Sequence, residues 1–221
     1  MNICACVANK TPKGCIEAVK RLDAELIEHR MDFMEEIKDL ERIYTASKLP
    51  VIATIRPSAN GGAFLGLEES RIAYLFEAID AGCTMIDIEL ETPTNLKEEI
   101  IEHAKENNSG VIISMHDFEG TADKETLQGI IRRERKEGAD IGKIVTTPHS
   151  VEDCHRVINL ILTAKRNDFP LVAFAMGDLG KFTRIIAPLY GAPFTYASSG
   201  NSTAPGQLSL RAMRRMRELI S

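Results

Sequence analysis

Apolar, β-rich runs alternate along the chain with stretches of helical spacing. The runs fall at residues 3–8, 24–30, 50–55, 85–90, 111–115, 141–145 and 171–175, with a weaker one at 194–196. Most are apolar on successive positions, the pattern of a strand covered on both faces. Between most of them apolar residues recur every three or four positions, as over 67–81, 95–107, 124–137 and 151–166. A last helical segment, 207–220, follows the final run. Thr94 and Ser150 stand where N-caps are expected.

Strand–helix alternation predicts parallel strands, because a parallel neighbour needs a crossover connection. Eight units in 221 residues match a (β/α)8 TIM barrel, expected as a single α/β domain over residues 1–221. The rival is an open doubly wound sheet, whose dinucleotide-binding form carries a glycine-rich turn after its first strand. Here that turn is Asn9-Lys10-Thr11-Pro12-Lys13-Gly14, without the glycine spacing.

The barrel reading directs attention to the C-terminal strand ends, where sites of this fold lie. Glu28, Arg30, Arg56, Asp87, Glu89, His116 and Lys143 all fall on or near them. Lys143 interrupts an apolar run. A lysine drawn out of water sheds its proton or finds a carboxylate, and the uncharged amine attacks carbonyls. The alternatives are an ammonium reaching back to water and an ion pair with Asp87 or Glu89. His116 closes the neighbouring run; alone it is equally a hydrogen-bonded strand-end histidine, but beside Lys143 it completes a nucleophile with a proton carrier.

Arg56 and Arg184 are candidate carboxylate clamps, the guanidinium fork matching that anion, with surface salt bridges as the plainer reading. Arg184 follows the glycine-bearing stretch Met176-Gly177-Asp178-Leu179-Gly180, expected as a loop able to cradle phosphate. Residues 197–207 are small and polar and are expected as a lid bringing Thr203 and Gln207 to the site, or as a plain connection.

Composition narrows the classes. The 44% hydrophobic content is that of a soluble globular protein, and a net charge of −5 argues against nucleic-acid binding. Arg211, Arg214, Arg215 and Arg217 are expected on the solvated face of the last helix, complementing its dipole. Five scattered cysteines form no ligand set and are expected as reduced thiols of a cytoplasmic protein. No stretch has membrane-spanning length. His103, His149 and His155 lack partners at metal-ligand spacing and are expected on the surface, so no metal site is expected.

In chain order, Glu28-His29-Arg30-Met31-Asp32, Arg56 through Gly62, Ile86-Asp87-Ile88-Glu89-Leu90, Ser114-Met115-His116-Asp117-Phe118, Lys143, Met176-Gly177 through Arg184 and Thr203-Ala204-Pro205-Gly206-Gln207 span nearly the whole chain. Together they resemble type I 3-dehydroquinate dehydratase, the Schiff-base enzyme of the shikimate pathway. The resemblance implies a hydro-lyase converting 3-dehydroquinate to 3-dehydroshikimate. Lys143 would form an imine with the ketone, and His116 would remove the adjacent proton and then help the hydroxyl leave. Arg184 would hold the substrate carboxylate, with Glu28, Arg30, Arg56, Thr203 and Gln207 on its hydroxyls and polar edge. It also implies a homodimer without metal or organic cofactor.

Two positions depart from the family pattern. Asn60 stands where many members have a glutamate supporting the histidine, so Asp87 is a candidate substitute. Thr203 stands where serine is common, and the hydroxyl is kept. Two other readings stay open on the residues alone: a class I aldolase using the same lysine on a phosphorylated sugar, and a barrel that binds a carboxylate metabolite without turnover.

Overall fold

The computed structural model describes residues 1–220. Eight strands, β1 (Ile3–Val7), β2 (Leu26–Arg30), β3 (Val51–Thr54), β4 (Met85–Glu89), β5 (Gly110–Asp117), β6 (Ile141–Thr146), β7 (Leu171–Ala175) and β8 (Thr195–Ser198), alternate with eight helices. The helices are α1 (Pro12–Val19), α2 (Leu40–Ala46), α3 (Glu68–Asp80), α4 (Thr94–Glu106), α5 (Lys124–Lys136), α6 (Val151–Lys165), α7 (Gly177–Tyr190) and α8 (Leu210–Ile220). Every strand pairing is parallel, in the order β7-β6-β5-β4-β3-β2-β1-β8, which makes a nearly closed (β/α)8 barrel.

The continuous apolar runs follow from this architecture, since both strand faces are covered. One set of alternate residues fills the barrel interior, including Ile52, Ile112, Val172 and Phe174. The other set packs outward under the helices, as Ala53, Ile86, Ile88 and Ile113 do. Between β7 and β8, Phe174 and Tyr196 meet edge to face at 6.1 Å.

Local chemistry sets the helix ends. Ser150 caps α6 in a capping box, its side chain accepting from the Asp153 amide while Asp153 accepts from the Ser150 amide. Thr94, in contrast, is the first residue of α4; Pro93, whose ring fixes φ, takes the cap position and no side chain bonds there. The last helix starts at Leu210 rather than 207. Gly206 has a φ of +71°, and Gln207 is drawn away by bonds to Thr203 and Cys6. The largest correction concerns Met176–Arg184. It is the opening of α7, not a loop, because Gly180 lets the helix settle on β7 where a Cβ would strike the Ala175 carbonyl.

Candidate active site

Period-two alternation decides which strand residues look inward. Glu28 and Arg30 on β2, Asp87 and Glu89 on β4, Ser114 and His116 on β5 and Lys143 on β6 are each two apart or in register with an inward neighbour. Ser114 pairs with both Glu89 and Lys143, which fixes the height of the lysine above the barrel floor. All six expected binding residues and both expected catalytic residues line one pocket.

Lys143 is 4% exposed. Its Nζ donates to Asp87 Oδ2 at 2.7 Å, lies 3.7 Å from Glu28 Oε1 and sits 4.4 Å from the centre of the Tyr196 ring. The amine thus faces carboxylates and an aromatic face inside the barrel, as the ion-pair reading expected, with Glu28 rather than Glu89 as the second acid. Arg56 ties the acids together, its Nη2 2.8 Å from Asp87 Oδ2 and its Nη1 bonded to Glu89 and to Ser114 Oγ. Burial alone would raise the Asp87 carboxyl; Arg56 and then Lys143 outweigh it and hold Asp87 well below the usual carboxylate range. A surface salt bridge is therefore the wrong description of Arg56, which is 3% exposed.

His116 lies inside β5, which runs two residues further than the apolar run, to Asp117. Its ring stacks on Phe118 at 6.3 Å, and Gly61 abuts the tip of the Phe118 ring where no Cβ fits. Burial, then the charges of Arg56 and Lys143, pull its pKa well below 6.5, so the imidazole is neutral at neutral pH. Its Nδ1 is buried without a hydrogen-bond partner. Neither Asp87 nor Asn60 hydrogen-bonds the ring: Asp87 is bonded to Lys143, Arg56 and Ser114 and acts on His116 only through its charge, which opposes the fall in pKa, and Asn60 lines the pocket.

Arg184 differs from the other arginines of the pocket. It is 1% exposed, lies over the Phe174 ring at 4.1 Å and gives one hydrogen bond, from Nη2 to the Pro205 carbonyl at 3.2 Å. Its Nε has no partner, and among the described residues it forms no ion pair. Burial without a counter-ion brings its pKa down to about 10. Arg30 instead holds Asp32 through two bonds of 2.9 and 2.7 Å. The phosphate cradle expected before Arg184 is absent: the Gly177 amide is already bonded to the Pro205 carbonyl, and the segment is packed on β7.

The segment 199–209 covers this end of the barrel. Gln207 accepts from the Thr203 amide and hydroxyl and donates to Cys6 Sγ at 3.1 Å, while Cys6 donates to Glu28. Cys6, expected as an anonymous thiol, is thus part of the pocket; its place two residues from Cys4 on β1 was the available signal. Tyr196 and Ser114 were missed as well, each announced only by strand register. His149 and His155 are exposed and His103 half-buried against Asp80. All five cysteines are unpaired and buried. Among the described residues no cluster fit to hold a metal is found, and no helix is long and apolar enough to cross a membrane.

A barrel whose pocket gathers a lysine amine, a neutral imidazole and a guanidinium without a counter-ion belongs to the class of (β/α)8 enzymes that work on a carbonyl and an anion together. A family model described as Type I 3-dehydroquinase matches residues 3–221, and the chain belongs to that family. It is 40% identical to a 3-dehydroquinate dehydratase of Methanococcoides burtonii, over 99% of this chain and 94% of the relative. Among solved structures, 3-dehydroquinate dehydratase from Geobacillus kaustophilus superposes with a TM-score of 0.91 at 30% identity, covering 99% of this chain and 90% of the other. The type I enzyme from Clostridium difficile, solved with covalently modified comenic acid, also has a TM-score of 0.91, at 25% identity over 99% and 92% of the two chains.

Proposed function

We propose that Lys143 and His116 carry the dehydration of 3-dehydroquinate to 3-dehydroshikimate, the hydro-lyase reaction of this family in the shikimate pathway. The observation that carries the assignment is the shared pocket: a buried amine, a neutral imidazole with room to accept a proton, and Arg184 buried without an anion. Arg184 takes the substrate carboxylate, which supplies the charge its surroundings lack. The amine adds to the ketone, and loss of water leaves an iminium that draws electrons from the adjacent carbon. His116 removes the proton there and returns it to the departing hydroxyl, so a single imidazole serves as base and acid. Asp87 and Glu28 sit against the growing positive charge on nitrogen. Glu28, Arg30, Arg56, Thr203 and Gln207 face the ring hydroxyls and polar edge, and no metal or organic cofactor is required by these steps.

Borohydride added with 3-dehydroquinate should leave a stable adduct on Lys143, found by peptide mass analysis. Lys143→Ala should abolish trapping and lower turnover by roughly 10⁴-fold or more. An adduct on another residue, or a Lys143→Ala variant with undiminished turnover, would reject the assignment. The protein acts in the cytoplasm as a homodimer in this reading, with exposed Leu65, Leu67 and Leu219 offering apolar surface. Light scattering at the mass of one 24.5 kDa chain would refute the dimer.

A further inference from the structure

The best-connected cation outside the pocket is Arg71, in the first turn of α3 and fully buried. With Glu68 and Glu69 beside it, the segment looks like solvated helix surface. Instead, the side chain passes inward between the ends of β3 and β4. Its Nε and Nη2 hold both Glu68 oxygens at 2.8 and 2.6 Å, and Nη2 also bonds Thr92 Oγ1 at 2.8 Å. Its Nη1 reaches the Ile55 carbonyl at 3.3 Å and lies 2.5 Å from Glu89 Oε2. The other Glu89 oxygen meets Arg56, which in turn meets Asp87, which meets Lys143. Alternating charges therefore run without a gap from the helical layer to the amine.

We propose that Arg71 is a positioning residue for the reaction: it anchors Glu89 so that Arg56 stays bridged between Glu89 and Asp87, in the orientation that meets substrate. This rests on the site reading given above. Glu89 is 2% exposed, and burial pushes its carboxyl up against the pull of Arg56 and Arg71. Without Arg71, one of its oxygens loses its cation, and the acid is driven towards its neutral form. A neutral Glu89 no longer holds Arg56 as a fixed anion does, so the guanidinium is free to turn onto Asp87.

Arg71 acts through an arginine that binds substrate, so its loss should appear in KM more than in kcat. In Arg71→Met, KM for 3-dehydroquinate should rise by about tenfold or more while kcat changes less than threefold, and Arg71→Lys should recover part of the loss. A purely structural role predicts the opposite: fewer active molecules, a lower kcat and the native KM. Arg71→Met should also add nothing to the KM of Glu89→Gln, since both remove the same anchor. A folded Arg71→Met protein with native KM, or additive effects of the two substitutions, would overturn the proposal. Should Arg71→Met fail to fold, Arg71→Lys carries the same KM test. Should the unaltered protein show no turnover, the site reading itself falls. Crystal structures then decide the positioning: Arg56 leaving Glu89 in Arg71→Lys upholds it, and Arg56 unmoved overturns it.

Discussion

His116 carries its proton according to what surrounds it, and on one side the buried Nδ1 has no hydrogen-bond partner. A carboxylate there would favour the imidazolium; Asn60, which lines the same pocket, brings no charge. Asn60→Glu should therefore raise the His116 pKa. With His116 as the neutral base of the proposed reaction, the acid limb of kcat/KM should move to higher pH, by about one unit for a nearby carboxylate. An unmoved limb would separate Asn60 from the histidine. At this scale the legibility of the sequence was uneven for a physical reason. Lys143 stood out because a charge inside an apolar run is costly, and that contradiction is visible without coordinates. Arg71 did not, because an arginine three residues after a glutamate in an amphipathic helix satisfies every local rule of a surface pair. Only the third dimension shows that its far end reaches Glu89.

Helix α7 shows how an element hides. Strand β7 falls at 171–175, where its apolar run placed it, yet after Met176 fourteen residues are helix where a loop was expected at the start. Glycine has low helix propensity, and two of them argued for a turn. Gly177 does supply one, with φ of +69°. Gly180 serves close approach instead, letting the first turn rest on the Ala175 carbonyl. Thr183 strengthens that seat, accepting from the Ala175 amide at 2.9 Å and donating to Gly180 at 2.6 Å. Arg184 follows directly, so the seat sets where the guanidinium lies. Gly180→Ala should force the helix off the strand, at a cost of about 1–3 kcal/mol in urea unfolding. KM should rise with it, because Arg184 moves too; an unfolding midpoint equal to that of the parent would show the contact to be slack. The lid segment, by contrast, was legible as a connection rich in turn residues, but not its internal bonds between Thr203, Gln207 and Cys6, which depend on pairs up to 201 residues apart.

For the molecule as a whole, acid should be the first stress to tell. His29 is fully buried on β2, with Nε2 unpartnered and Nδ1 3.4 Å from the Tyr44 hydroxyl. Burial, opposed only by Asp32, lowers its pKa from 6.5 to about 4. Between those values the unfolded chain binds a proton at this position that the folded chain refuses, so stability falls as pH falls through that window, by about 3 kcal/mol from His29, and the depressed pKa of His116 adds to the same fall. Asp87 adds a second loss lower down: its carboxyl is held low by Arg56 and Lys143, so its contribution persists above the unfolded carboxylate pKa and disappears as acid reaches the folded one. His29→Leu should flatten the decline in urea midpoint between pH 6.5 and 4; an unchanged slope would assign it to another group.

The barrel's eight strands are joined by seven parallel ladders, which leaves the β7–β8 junction among the described residues to side chains. Phe174 and Tyr196 fill that junction, and Arg184 lies over the Phe174 ring. The cylinder is thus least stitched at the place where the arriving anion would be gripped. An occupant that bonded Arg184 on one side and the amine above Tyr196 on the other would act as the missing suture, so that holding the ligand and tightening the hoop would be a single event.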